Sequence, residues 1–273
     1  MKLLITFYGF SATSFATVLV AVLAVQAGKP VFAQEKQPVA AKTRVELALE
    51  SDQLNNELPS WRAQSLRVAH GTGPRDVREI ELQQIRRFGL DDQQIRGVYV
   101  TSLGSALTAT LAAQFSPTHR SLAKHGVEGT LQYEFAPAWL ALGGYSYTRF
   151  DTNKVQQVSV GLEHYFSDFS LAALLRTGRS LGVRTHGFST RAAYYYAQGS
   201  SVGIMASSGQ ETSLLASPQV GGTVLLLSDV RAITLVGRHQ LVPQWSVSYA
   251  LGRTKQGNFY QRTSARVGVQ YTF

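Results

Sequence analysis

The sequence predicts an all-β protein: an antiparallel, up-and-down transmembrane β-barrel of about fourteen strands that follows a cleaved signal peptide. Three observations predict this fold. A short apolar stretch follows a basic N-terminus, many later segments alternate strictly between apolar and polar residues, and turn residues recur between those segments. Together these features indicate a chain that is exported and inserted into the outer membrane of a Gram-negative bacterium.

The N-terminus has the parts of a secretory signal peptide. Lys2 gives the basic start, an apolar segment occupies 15–27, and the sequence VFA at 31–33 supplies a cleavage site after Ala33, with Ala27 as the alternative. The apolar run of about 13 residues is too short for a spanning helix, which needs about 20. The chain therefore divides into three predicted parts: a signal peptide at 1–33, a short periplasmic leader at 34–42 and the barrel at 43–273.

Composition narrows the possible functions. The 273 residues are 44% hydrophobic and only 16% charged, which argues against disorder. The absence of cysteine excludes disulfides, thiolate zinc sites and cysteine nucleophiles. A formal charge of +9 suits anionic lipid or glycan. Nucleic acid is not expected as a partner, because a barrel has no element that enters a groove.

The last segment shows the alternation most clearly. One parity carries Thr263, Ala265, Val267, Val269, Tyr271 and Phe273, and the other carries Arg262, Ser264, Arg266, Gly268, Gln270 and Thr272. About eleven residues in a tilted strand cross a bilayer core, so one face can meet lipid and the other a lumen. A soluble sandwich or barrel is the alternative, but its strands usually carry charge along one whole face. Similar alternation recurs at 107–115, 127–135, 158–166 and 245–252.

The connections between segments set the strand count and the orientation. Tight turns are predicted at 103–105, 136–138, 167–168, 197–200 and 242–244. Longer polar loops are predicted at 52–60, 88–93, 116–125, 151–154, 178–186, 210–228 and 255–258. Tight turns on the periplasmic side and long loops outside are typical of outer-membrane barrels. The count gives fourteen strands, with twelve as the alternative because residues 60–87 are weakly patterned.

The polar parity predicts a charged lumen. Extending the alternation places ten charged residues there: Arg67, Arg96, Glu128, Glu134, Glu163, Arg176, Arg191, Arg238, Arg262 and Arg266. Glu79 and Glu81 join them if the third strand keeps its register. Charges of both signs inside a low-dielectric wall are expected to pair. A structural salt-bridge network is favoured over an anion-selective ladder, because mixed signs leave little net field.

No catalytic, cofactor or metal site is apparent in the sequence. His119 and His125 fall in one predicted loop with Ser116 and Ser121, but no nucleophile motif such as G-x-S-x-G is present. The His119-x5-His125 spacing offers no third metal ligand. No glycine-rich phosphate loop precedes a helix. We therefore expect a non-enzymatic protein without a cofactor.

Several ordered segments resemble the YaiO-type outer-membrane β-barrel family. They are RRFGLDDQQ (86–94), FSPTHR (115–120), LQYEFAPAW (131–139), LEHYFSDFSLA (162–172), DVRAITLVGRHQL (229–241) and YALGRTKQGNFYQRTSARVGVQYTF (249–273). The resemblance implies an outer-membrane barrel whose molecular activity is poorly defined. Some relatives are associated with cell-surface polysaccharide genes. The family supplies no established catalytic residues, and Gln240 departs from it where similar sequences carry an aromatic residue.

The remaining expectations concern partners and function. Aromatic residues near strand ends predict an interfacial girdle, and the alternating end with Tyr271 and Phe273 resembles the signal read by the barrel-assembly machinery. Outer-membrane lipid, lipopolysaccharide and envelope polysaccharide are the other expected partners. The function expected is a structural barrel or narrow channel. Two alternatives stay open: a barrel enzyme that modifies lipid or glycan, and an interaction protein that acts through the loop at 210–228.

Overall fold

The alternating segments pair with one another in sequence order, each strand antiparallel to the next. A computed structural model describes residues 41–273 except 74, 198 and 218–221, without the side chains of 214–224. The predictions of a signal peptide at 1–33 and of most of the leader at 34–42 lie outside the described residues. Within those residues, no α-helix is long and apolar enough to cross a membrane.

The described residues form fourteen strands. These are β1 Lys42–Leu54, β2 Trp61–Gly73, β3 Asp76–Arg87, β4 Leu90–Ser102, β5 Leu107–Thr118, β6 His125–Ala136, β7 Trp139–Arg149, β8 Lys154–Phe166, β9 Phe169–Ser180, β10 Val183–Tyr195, β11 Ser201–Ser217, β12 Gly222–Gln240, β13 Trp245–Gln256 and β14 Tyr260–Thr272. The predicted count of fourteen is confirmed, and the alternative of twelve is wrong. The weakly patterned region at 60–87 contains β2 and β3.

The first and last strands close the sheet. β1 pairs with β14 along its length, with Val45 opposite Tyr271 and Glu50 opposite Arg266. Closure gives every strand of the described barrel wall a partner on both sides, which is what a sheet in hydrocarbon requires, because lipid cannot hydrogen-bond to free backbone groups. The predicted fold, a closed antiparallel barrel, is therefore confirmed.

Alternation places apolar side chains outside and polar ones inside. Leu47 and Leu49 are each 63% exposed on the outer face of β1, while Glu46 and Ala48, which alternate with them, are 7% and 6% exposed. In a water-soluble protein such exposed leucines would be costly, but against lipid they are the expected surface. The core of this protein is thus the largely polar lumen, and its apolar surface is the outer face of the barrel.

The turns at the end that holds both termini agree with the sequence. Residues 137–138 and 167–168 are two-residue connections, with positive φ angles of 67° at Ala138 and 52° at Ser167. The predicted tight turns at 103–105, 197–200 and 242–244 also lie at this end. We assign this end to the periplasm, since outer-membrane barrels carry their short turns there.

Two predicted outer loops are wrong. The segment predicted as a loop at 178–186 is strand except for Leu181 and Gly182, and the one at 88–93 is strand except for Phe88 and Gly89. Both central residues have positive φ in each turn, 51° and 81° in the first and 52° and 77° in the second. This is the geometry of tight type I′ hairpins. Polar residues flank these turns because the strands continue into water, where apolar alternation stops.

The predicted loop at 210–228 is also wrong. β11 and β12 continue to pair beyond the barrel, from Gln210 opposite Asp229 to Ser217 opposite Gly222. β11 stops pairing with β10 at Gly209, and β12 pairs with β13 only from Val230. Residues 210–217 and 222–229 therefore form a two-stranded ribbon that continues from the outer end of the barrel. The long polar composition was typical of a loop, but cross-strand pairing keeps it extended.

Close strand packing should make Gly161 intolerant of a side chain. A Cβ atom there would lie 2.6 Å from Leu174 Cδ1 and would also overlap the carbonyl oxygen of Ala173. We expect Gly161→Ala to destabilise the barrel by about 1–3 kcal/mol, the usual cost of overpacking. Denaturant unfolding of the refolded protein measures the change. Gly143→Ala is the matched control, because nothing lies within 4 Å of a Cβ there. Equal stability of the two variants would contradict the packing argument.

Candidate functional site

The lumen wall carries a row of alternating charges across four strands. Glu46 on β1 lies opposite Arg67 on β2, Arg67 lies opposite Glu81 on β3, and Glu81 lies opposite Arg96 on β4. Opposite charges on directly facing residues stabilise a sheet, because their Cβ atoms are only about 5 Å apart. We call these four residues the charge row. Its register could not be read from the sequence, but its alternation of signs fits the predicted pairing of lumen charges.

Arg67 is the centre of this row. Its guanidinium lies 3.2 Å from a carboxylate oxygen of Glu81, 3.3 Å from one of Glu79 and 3.8 Å from one of Glu46. Glu46 in turn accepts a hydrogen bond of 2.7 Å from Arg266 of β14. These side chains are largely shielded from water. The planar guanidinium suits such a site, because it donates in several directions at once and stays charged.

A second ion pair lies on the side of the lumen opposite Arg67. Arg191 on β10 donates to Glu163 on β8, and the small Ala172 of β9 lies opposite both residues in the register. Glu163 is only 1% exposed. Arg176 donates a hydrogen bond of 3.0 Å to Ser189. This side of the lumen is thus filled by short polar contacts within β8–β10.

The other predicted lumen residues are not joined into one network. Arg262 donates to Asp52 at 3.3 Å near the outer end, apart from Arg67. At the periplasmic end, Arg238 donates to Ser246 Oγ at 3.3 Å, and Glu134 accepts from the backbone N–H of Ala138 at 3.4 Å. The predicted set therefore contains several local clusters along the barrel axis.

The sequence interpretation missed the acids of β1. Glu46 and Asp52 are buried in the lumen, with Glu50 on the same parity. The signal was present, because these acids alternate with Leu47 and Leu49 as the polar residues of other strands do. They supply carboxylates to Arg67, Arg262 and Arg266.

Trp61 fills the outer mouth on one side. It is 2% exposed and packs edge-on against Phe88 at 4.9 Å and Tyr260 at 5.9 Å. The guanidinium carbons of Arg87 and Arg262 lie 4.9 Å and 5.1 Å from its ring centre. Cations over an indole face are attracted by the ring quadrupole. An aromatic side chain thus helps to hold two like charges near each other at this mouth.

The loop at 119–124 folds inward on the other side of the mouth. Leu122 and Ala123 are each 3% exposed. Asp92 of β4, 1% exposed, holds the loop by accepting hydrogen bonds from the backbone N–H of Arg120 at 2.9 Å and from the N–H and Oγ–H of Ser121 at 2.6 and 2.7 Å. Three bonds to one buried carboxylate are strong, because each is charge-assisted.

A cavity of about 60 Å³ lies beneath this loop. Its polar lining consists of Gln94, Arg96, Gln114, Glu128, Ser146, Thr148 and Gln157, and its apolar lining includes Leu122, Ala123, Phe150 and Val155. Arg96 is 8% exposed, and no carboxylate of the described residues lies within ion-pairing distance of it. The end of the charge row therefore presents a guanidinium to the cavity.

Comparison with known protein families decides the classification. The family described as the YaiO membrane beta barrel domain matches residues 42–213, more than half of the chain. The chain belongs to the YaiO family. It is accordingly an outer-membrane β-barrel, as the sequence predicted. No curated protein matches the chain significantly.

Solved structures with the same fold are remote in sequence. The CymD monoaromatic hydrocarbon channel is 12% identical, with a TM-score of 0.53 over 86% of this chain and 88% of that one. A bacterial polysaccharide outer membrane secretin is 10% identical, with a TM-score of 0.51 over 85% and 98%. An anion-selective porin from Comamonas acidovorans is 12% identical, with a TM-score of 0.46 over 86% and 99%. At such identities the likeness shows the porin-like fold alone.

The histidines of this YaiO barrel that were candidates for chemistry have other partners. His119 Nε2 lies 2.9 Å from Asp151, and its Nδ1 lies 3.1 Å from the carbonyl oxygen of Ser116. Ser121 donates to Asp92 and not to a histidine. His125 stacks on Tyr147. In the part of the chain that the structure describes, no group of three metal-binding side chains occurs.

Aromatic rings form a belt around the periplasmic end of the YaiO barrel. Trp139 stacks on His164 at 4.0 Å, and Phe169 stacks on Tyr194 at 4.7 Å. The full series runs through Phe135, Trp139, His164, Phe166, Phe169, Tyr194, Tyr196 and His239. Amphipathic rings at this level suit the interface between lipid and water. At the seam, Phe273 packs edge-on against Tyr271 at 4.8 Å, and its N–H donates to the carbonyl of Thr43 at 2.9 Å.

Loss of the Asp92 carboxylate should release the inward loop. Arg120 and Lys124 are already exposed, but Asp92 fixes the backbone beside them. We expect Asp92→Ala to free this backbone, so that trypsin added to the folded, membrane-inserted barrel cleaves there at least several-fold faster. Three charge-assisted hydrogen bonds disappear at once, and each is worth about 1.5–3 kcal/mol. Mass spectrometry of the fragments locates the cuts.

Asp91→Ala is the matched control for the loop. Asp91 is the neighbouring carboxylate, but it faces outward and lies 3.9 Å from Arg86 instead of holding the loop. Cleavage of Asp92→Ala at the rate of Asp91→Ala would show that Asp92 does not hold the loop.

Proposed function

We propose that this YaiO barrel is a non-enzymatic, narrow channel for small polar solutes. The observation that carries the proposal is the cavity beneath the loop at 119–124, whose wall combines seven polar residues, the buried Arg96 among them, with apolar ones. A wall meant only to fill a barrel would pair its charges, as Glu163 and Arg191 do. The engagement of His119 with Asp151 and a backbone carbonyl supports a role without catalysis.

The solute path follows the β4–β8 side of the lumen. The β1–β3 side is occupied by Arg67 and its three acids, and the outer mouth above it is filled by Trp61. Charges held in an ion pair contribute little to ion selectivity, whereas a charge outside such a pair contributes more. Arg96 is the cation that lines the cavity, together with Glu128. Arg96 is therefore the residue that should give the channel its preference between anions and cations.

We extend the proposal to hydroxylated solutes related to envelope polysaccharide. Planar amides at Gln94, Gln114 and Gln157 lie with Arg96 and Glu128 around one cavity. Such groups both donate and accept hydrogen bonds, which suits the hydroxyl groups of a sugar. The presence of a polysaccharide secretin among proteins with this fold supports the same choice.

Conductance of the refolded protein in a planar bilayer tests the channel. We expect stable single-channel steps, and we expect Arg96→Gln to lower the ratio of anion to cation permeability by roughly two- to fivefold. A permeating ion about 4 Å from one fixed charge in a water-like medium interacts with it by about 1 kcal/mol. Arg62→Gln removes an outward-facing cation and should leave the ratio unchanged. A heat-modifiable, folded sample without any conductance would refute the channel.

The C-terminal aromatic residue is proposed to act in assembly. We expect deletion of Phe273 to reduce the amount of folded barrel in the outer membrane, because the barrel-assembly machinery reads an aromatic end on an alternating last strand. Surface labelling and heat-modifiability of membrane fractions measure this amount. Phe273→Tyr keeps an aromatic end and is the control, and a Phe273 deletion that reaches wild-type levels would contradict the assignment.

A further inference from the structure

Cations face one another across three outer hairpins of the barrel. The strand register places Arg149 opposite Lys154, Arg179 opposite Arg184, and Arg231 opposite Lys255. All six side chains are exposed and share the outward parity of their strands. Each pair lies toward the outer end of the barrel.

Such pairs are unfavourable unless an anion joins them. Directly opposed residues have Cβ atoms about 5 Å apart, and like charges there destabilise a sheet. At a fourth pair, Arg62 opposite Arg86, Asp91 lies 3.9 Å from Arg86 and offsets part of the repulsion. Among the described residues, no carboxylate is within ion-pairing distance of the other three pairs. The described part of the chain therefore supplies no counter-ion for these pairs.

Two of the pairs form one patch. Gln156 of β8 lies opposite Arg179 of β9, so Lys154 and Arg179 are diagonal neighbours on the outer face. We call Arg149, Lys154, Arg179 and Arg184 the β7–β10 patch. The centres of its two pairs are two strand spacings and two residues apart, which is about 12 Å.

Apolar side chains lie below the patch on the same outward face, one outward position beyond the exposed Gln156, Thr177 and His186. Val158 is 48% exposed, Leu175 is 59% exposed and Phe188 is 44% exposed. They follow the cations toward the middle of β8, β9 and β10. Cations above an apolar wall match the order of phosphate and acyl chain in a membrane lipid, whereas a soluble anion needs no apolar wall.

We propose that the β7–β10 patch binds an outer-leaflet glycolipid that carries two phosphates, one on each cation pair, with its acyl chains along Val158, Leu175 and Phe188. A phosphate between two cations replaces their repulsion by two charge-assisted contacts. The pair Arg231 and Lys255 offers the same chemistry to a further lipid phosphate. The site lies on the outer wall and is independent of the lumen, so it does not rest on the channel function.

Thermal unfolding of the refolded full chain in vesicles tests this site. Phosphatidylcholine vesicles are compared with the same vesicles containing diphosphoryl lipid A, and the unfolding midpoint is read from heat-modifiability on gels. We expect lipid A to raise the midpoint by several degrees, since a ligand that binds only the folded state stabilises it. No rise would overturn the proposal.

Two further arms identify the ligand chemistry. Monophosphoryl lipid A should give a smaller rise, and an equal rise would overturn the assignment of two phosphates. Inorganic phosphate should give no comparable rise at the same total phosphate concentration. An equal effect of inorganic phosphate would assign the patch to a soluble anion and overturn the lipid.

Reversing the charge of one residue in each pair should raise the unfolding midpoint in phosphatidylcholine and abolish the rise that lipid A causes. Arg149→Glu with Arg184→Glu converts both like pairs into opposite pairs, so we expect a higher midpoint than wild type in phosphatidylcholine and no further rise with lipid A. Arg75→Glu with Arg78→Glu makes the same change in net charge at the periplasmic end and should respond to lipid A as wild type does. Arg149→Gln with Arg184→Gln serves if the reversed variant does not fold. A patch variant that still responds like wild type would overturn the proposal.

Discussion

The pairing of β1 with β14 is the constraint on which the rest of this barrel depends. Hydrocarbon offers no partner to a backbone N–H or C=O, so a spanning sheet is stable only when its first and last strands meet. Once the sheet is closed, each strand has one face toward lipid and one toward the lumen. Apolar residues such as Leu47 then face the lipid, and acids such as Glu46 face the lumen because lipid cannot solvate them. Closure of the sheet is therefore sufficient to explain why charged residues lie in the lumen, whatever the function of the barrel.

The lumen uses this charge unevenly. On the β1–β3 side Arg67 pairs with the acids, and on the β8–β10 side Arg191 pairs with Glu163. Between them the charge row ends at Arg96, which lines a cavity together with Glu128 and has no carboxylate of the described residues within ion-pairing distance. Buried pairs add little net stability because desolvation offsets their attraction, but removing one partner is costly. The paired sides therefore fill the barrel, and the cavity side is the one that the proposed channel function assigns to a solute.

Sequence reasoning predicts this fold well because period-2 alternation and membrane thickness are both local constraints. It gives the strand count, the closed barrel and the periplasmic turns, and it selects residues such as Arg67 and Glu163 by parity. It fails at the outer end, where strands continue into water and lose their apolar signal, as at Leu181-Gly182 and in the ribbon of 210–229. It also cannot give the partner of Arg266, because that depends on register across the β1–β14 seam. The inward fold of the loop at 119–124 depends on Asp92, a tertiary contact without a local pattern.

The contacts at the seam have a kinetic consequence. Glu46 and Arg266 are separated by 220 residues in the chain, and Asp52 and Arg262 by 210, yet each pair meets across β1 and β14. Neither pair can form while the sheet is open, so their attraction acts only at the last step of folding. Contacts between residues so distant in sequence form only after a large loss of chain entropy, which here is the closure of the sheet. These ion pairs therefore contribute nothing before β1 and β14 meet, and they oppose the separation of the two strands afterwards.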